Sequence, residues 1–209
     1  RDNYNLILSG YYETFKYPLY FDFEQKYVYQ NNFLQLDLKV QHSINRISAI
    51  GLGTSYESIR LIPKIFGTIS VETGNNYFNS VLFYKDNTVD EKTFPTKGLK
   101  IEAEAGYIYN QNPDDLFIDA AELTATVDTL NFTGYSKIKL NIENYAQLKG
   151  KFSFIQQFNG GIIINEEESF LNYFYVGGQT DFLRNQITFA GLSEYEVYTN
   201  SVAAGLLGL

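Results

Sequence analysis

Apolar and polar residues alternate with a period of two along almost the whole chain, in segments long enough to leave few folds open. After Gly98, Leu99, Ile101, Ala103, Ala105, Tyr107 and Tyr109 share one face, while Lys100, Glu102, Glu104 and Gly106 share the other. Ile138, Leu140 and Ile142 stand against Lys137, Lys139, Asn141 and Glu143. Phe152, Phe154 and Phe158 stand against Lys151, Ser153, Gln157 and Asn159. The pattern recurs at 4–12, 19–29 and 34–40, and near the end Ile187, Phe189, Tyr195 and Val197 oppose Thr188, Glu194 and Glu196. Side chains leave a strand alternately to its two faces, so the pattern describes a sheet with one apolar and one polar face. No segment reads as a helix.

The alternation predicts about ten antiparallel strands, most of roughly 10–15 residues. Strands of soluble sandwiches average only ~5–6 residues, whereas a tilted strand crossing a bilayer needs ~9–11. Connections also alternate in length. Lys16-Tyr17, Ser43-Ile44-Asn45 and Leu148-Lys149-Gly150 read as short turns, and 60–76, 111–132 and 161–186 as long loops. Short turns at one end and long loops at the other are the habit of a transmembrane barrel. The four prolines, at 18, 63, 95 and 113, are expected in turns or loops, where a missing N–H does no harm. The fold class expected is therefore all-β, an antiparallel transmembrane β-barrel in the bacterial outer membrane, with 1–209 as one domain. Its apolar face meets lipid, and its charged face, with Lys100, Glu102, Glu104, Lys137, Lys139, Glu143, Glu194 and Glu196, lines a wet lumen. A soluble antiparallel protein would alternate as well, with its apolar face inside.

Composition narrows the chemistry. With one His and no Cys among 209 residues, thiolate metal sites, disulfides and a cysteine nucleophile are excluded. A net charge of −8 argues against a nucleic-acid partner. No Gly-x-Ser-x-Gly elbow and no phosphate-binding loop is present, and no metal or cofactor is expected. The Glu166–Glu168 run reads as a solvated loop, with calcium ligation as the alternative. Lacking Met, opening on Arg1 and closing on Gly205-Leu206-Leu207-Gly208-Leu209, the chain is expected to be a piece of a longer protein, missing strands at least on its C-terminal side.

Two motifs stand above this background. Phe94-Pro95-Thr96-Lys97-Gly98 leads directly into the cleanest strand; Pro95 fixes one φ and Gly98 can supply a positive one. Three strands later, Phe174-Tyr175-Val176-Gly177-Gly178 precedes Leu183-Arg184-Asn185-Gln186 in a long loop. At these residues the chain resembles the BamA/TamA-like surface-antigen barrels, which carry a Phe-Pro-x-x-Gly turn, an aromatic-x-Gly-Gly segment and a Val-Arg-Gly-aromatic loop tip. The resemblance implies a barrel of about sixteen strands, with the Phe94, Pro95 and Gly98 turn facing the periplasm. It also implies a long loop folded into the lumen, where Arg184, with Gly177 and Gly178 behind it, meets an acidic or aromatic patch on the inner wall. Asn185 and Gln186 depart from the family's Gly-aromatic pair. Residues 165–178 are most similar to barrels that follow patatin-like phospholipase domains in Bacteroidetes-type proteins. The resemblance therefore implies a barrel that anchors, and exports or displays, an attached domain, with any hydrolysis outside these residues. A barrel-assembly insertase and a porin-like transporter are the competing readings. Expected partners are outer-membrane lipids and a second copy or accessory outer-membrane proteins.

Overall fold

Strand pairing follows the alternation in the computed structural model, which describes residues 3–208 except 22–23, 66–68, 92, 115, 121–122, 128–132, 149–151, 166–169, 179–183, 190 and 194–195. The strands are β1 (Tyr4–Phe21), β2 (Glu24–Ser43), β3 (Ser48–Ile65), β4 (Ile69–Asn87), β5 (Gly98–Pro113), β6 (Leu116–Ala120), β7 (Leu123–Val127), β8 (Tyr135–Gln147), β9 (Ser153–Ile164), β10 (Phe174–Val176), β11 (Gln186–Ile187), β12 (Val197–Thr199) and β13 (Ser201–Gly208). A ten-stranded antiparallel sheet runs β1-β2-β3-β4-β5-β8-β9-β13, and the β6–β7 hairpin adds to the far end of β4. A small second sheet has the order β11-β10-β12. Among the described residues β1 and β13 each pair on one side only, so the sheet is not closed. The one helical element described is a 3₁₀ turn at Phe170–Asn172.

The sheet is inverted relative to a soluble protein. Leu6, Leu8, Leu52 and Leu82 are 73%, 82%, 64% and 54% exposed, whereas Glu57, Thr73 and Asn75 are nearly fully buried on the opposite face. Large side chains left in contact with the surroundings over a whole face, with polar groups packed behind them, suit a hydrocarbon exterior. On β1 the exposed apolar band runs from Tyr4 to Tyr12, nine residues, close to the ~9–11 that a tilted strand needs to span a bilayer. Beyond it the same face turns polar, where Thr14 donates to Asn32 at 2.6 Å and Gln30 donates to Asn32 at 2.8 Å. An aromatic row marks the boundary further round. Tyr56 and Phe78 have ring centroids 5.7 Å apart, and Phe78 and Tyr109 stack at 6.1 Å. Strands β1 to β4, with 18 to 20 residues, continue well past this row at the long-loop end.

Several expected boundaries are corrected. Lys16-Tyr17 is no turn: it lies inside β1, paired with Gln30 and Tyr29. The expected strand over 19–29 is instead the two arms of the β1–β2 hairpin. The expected loop at 60–76 is mostly strand, because β3 and β4 keep pairing through Leu61 and Thr73. Within 111–132 the short hairpin β6–β7 replaces an open loop. Among the described residues of 187–197 none joins the barrel sheet; Ile187 belongs to β11 and Val197 to β12. Pro18, Pro63 and Pro113 are strand residues, Pro113 as the last residue of β5, paired with Asn75. Pro18 sits on β1, which among the described residues pairs on one side only, and Pro63 pairs with Tyr29 where the β2–β3 register shifts. Both are places where a missing donor is tolerated.

A clamp between the long loop and the inner wall

Period-two placement aims Phe33 from β2, Glu57 from β3, Tyr77 and Asn79 from β4, and Tyr135, Lys137 and Lys139 from β8 onto the inner face. The connection between β9 and β13 lies against that face. Its apolar anchor is Phe174, fully buried, whose ring rests where Gly161 of β9 has no side chain. A methyl group on Gly161 would collide with that ring. Lys137 Nζ lies over the same ring, 4.9 Å from its centroid. Tyr175 packs edge-on against Phe15 at 5.6 Å and receives a hydrogen bond from Asn31 at 3.3 Å. Gly177 and Gly178 have φ of +126° and +81°. These are left-handed values that side chains rarely adopt, and a Cβ on Gly177 would also strike the Ser193 carbonyl. This bend lets β11 run parallel to β10, with the Tyr175 N–H donating to the Asn185 carbonyl at 3.0 Å.

That pairing presents Arg184 to the wall. Its Nη1 lies 2.9 Å from Glu57 Oε2, and its Nη2 donates to Asn172 Oδ1 at 3.0 Å. The guanidinium carbon sits 3.9 Å from the Phe33 ring centroid. Lys139 Nζ donates to the Arg184 carbonyl at 2.6 Å. Glu57 is only 1% exposed. Its carboxylate accepts from Ser55 at 2.8 Å and Asn79 at 3.0 Å, and the Tyr77 hydroxyl lies 2.8 Å from it. A buried carboxylate survives only when its lone pairs are occupied, and here they are. A cavity of about 90 Å³ lies beside the clamp, lined by Asp37, Lys39, Glu57, Glu104 and Lys139 among others. The site has the chemistry of a fastener: a fork of donors, permanently charged, seated on an acid and an aromatic ring.

The other expected site residues divide between the clamp and places away from it. Lys100 bridges Glu143 at 3.0 Å and Glu102 at 3.3 Å, and Tyr145 donates to Glu143 at 2.9 Å, forming a charged group towards the short-turn end. Glu104 is exposed, and Lys137 and Lys139 belong to the clamp. Glu194 lies outside the described residues, as does the Glu166–Glu168 run. Glu196 is no barrel-strand residue; it accepts from the Ser193 N–H within the loop at 2.6 Å. The Phe94–Gly98 turn lies at the same end as the Ile44–Ile47 turn, whose Ile47 carbonyl accepts from Asn87 at 3.0 Å. Gly98 has φ +118° and abuts Thr88, Pro95 is half-buried and Phe94 is 79% exposed. The turn is held by Asp90. Thr96 Oγ1 donates to it at 2.6 Å, and the N–H groups of Thr96, Lys97 and Glu91 donate at 3.0, 3.2 and 3.0 Å. The Thr96 hydroxyl first, then these amides, lower its pKa to about 2.

Periodicity alone passed over Glu57, Asn172, Phe33, Tyr77 and Gly161. Glu57 carried the only available signal, a carboxylate on the inner face flanked by Ser55 two residues earlier. A family model described as the OMP85 superfamily matches residues 8–208. No curated protein and no solved structure matches the chain.

Proposed function

The chain belongs to the OMP85 superfamily, the outer-membrane barrels that its two motifs resemble, and from that premise we propose that it anchors an attached domain in the outer membrane and exports or displays it, with the lumen closed at rest by the β9–β13 loop. The observation that carries this reading is the seating of Arg184 on Glu57, deep against the inner wall. A loop fastened there obstructs the path a porin would keep open. The role is physical rather than catalytic, and any hydrolysis belongs to the attached domain. Its patatin-like identity rests on the resemblance at residues 165–178. An insertase of the same superfamily is the second reading, and tandem small αβ repeats ahead of the barrel would favour it.

Two measurements test this function. After lysis without detergent, the protein should sediment with outer membranes, and recovery in the soluble fraction would overturn the anchoring role. In planar bilayers the unaltered protein should conduct weakly, while Arg184→Ala should produce larger, flickering openings. A large and steady conductance from the unaltered protein would favour porin-like transport instead.

A further inference from the structure

Asn172 ends the 3₁₀ turn that precedes β10, and it is 1% exposed. Its side chain reaches both β4 and β8, and its main chain is held by β8 and the loop tip. Oδ1 accepts from Arg184 Nη2 at 3.0 Å and lies 2.8 Å from the Tyr77 hydroxyl of β4. Nδ2 donates to the Tyr135 hydroxyl of β8 at 2.7 Å. Its carbonyl accepts from Lys137 Nζ of β8 at 2.8 Å and from Asn185 Nδ2 of the tip at 3.3 Å. No other residue type of this size offers an acceptor to a guanidinium and a donor to a phenol from one planar group.

We propose that Asn172 is the positioning residue of the clamp: it spans from the β4 and β8 walls to the loop tip and orients the Arg184 guanidinium onto Glu57. Arg184 has several rotatable bonds, and Glu57 binds only one edge of its fork. The second edge is fixed by Asn172, whose own orientation is set by Tyr135. The tip is thus held through a relay rather than by one ion pair. This inference deepens the closed-lumen reading and rests on it for its functional consequence, but not for its geometry.

The chain contains no cysteine, so a single introduced one reports cleanly. Ile187→Cys places a thiol on β11, where the native residue is 5% exposed. Its labelling by a membrane-impermeant maleimide in detergent-solubilised protein reads tip position directly. Asn172→Leu, and the smaller Asn172→Ala, should each accelerate labelling about tenfold, the scale of one or two lost hydrogen bonds. Asn172→Asp, which keeps both acceptor roles and can receive the Tyr135 proton, should label as slowly as the parent. Arg184→Ala should label fast, and Arg184→Ala with Asn172→Leu should label no faster than Arg184→Ala alone, because both act on one contact. Retained heat-modifiable mobility on gels confirms that each variant is folded. Slow labelling of both Asn172→Leu and Asn172→Ala, rapid labelling of Asn172→Asp, or multiplicative effects in the double variant would overturn the proposal. Fast labelling with unchanged conductance would instead sustain the role of Asn172 and sink the closed-lumen reading.

Discussion

Gly161 and Asp90 show how single positions in this sheet carry different kinds of work. Gly161 is a notch: the Phe174 ring occupies the space of its missing side chain. Gly161→Ala should therefore destabilise loop docking by about 1–3 kcal/mol, the usual cost of overpacking. It should appear as a lowered urea midpoint and faster protease cutting between β9 and β13. Asp90 works by accepting hydrogen bonds in the exposed turn before β5. Its pKa is lowered from 3.8 to about 2, so its contribution is present above pH 3.8 and is lost as pH falls towards 2. Amide protection at Thr96 and Lys97 should hold from pH 7 to 4 and collapse between 4 and 2, whereas Asp90→Asn should show no such step. The turn was legible in advance from Pro95 and Gly98, because their backbone demands are local. Glu57 was not, since its partner lies 127 residues away and a lone inward acid looks like any lumen charge.

Alternation also says which way each strand's side chains point, and it says so well: the exposed residues of β1, Leu6 and Leu8, are those the pattern assigned to lipid. It says much less about where a strand ends. A short turn is expected at Lys16-Tyr17, yet pairing continues past it to Phe21. An outward lysine is tolerated there because β1 has already left the apolar band beyond Tyr12. The same reasoning explains the misread strand at 187–197. Alternation over a few residues is equally satisfied by β11 and β12 packed beside β10, and Gly191, with φ +108°, bends the chain between them. The band itself can be tested. Leu8→Arg, in its middle, should destabilise insertion by about 2–4 kcal/mol, and Thr14→Arg, beyond its edge, by about 0–1 kcal/mol. Equilibrium folding into lipid vesicles measures both, and equal costs would mean that the band is misplaced.

The whole molecule joins a sheet built from neighbours to one fastening made across it. Every pairing along β1-β2-β3-β4-β5 is between strands adjacent in sequence, the kind of contact that forms early and fast. The seat of Arg184 on Glu57 closes a circuit of 127 residues and needs β3, β4 and β8 already in place. The fastening therefore belongs to the descending side of the folding barrier, and it sets how long the finished protein lasts rather than how quickly it is made. Arg184→Ala should leave the rate of insertion into vesicles unchanged and hasten unfolding in urea by about two to three orders of magnitude. In an outer membrane, where a barrel cannot be withdrawn and refolded at leisure, a late bolt of this kind acts as a clock on survival.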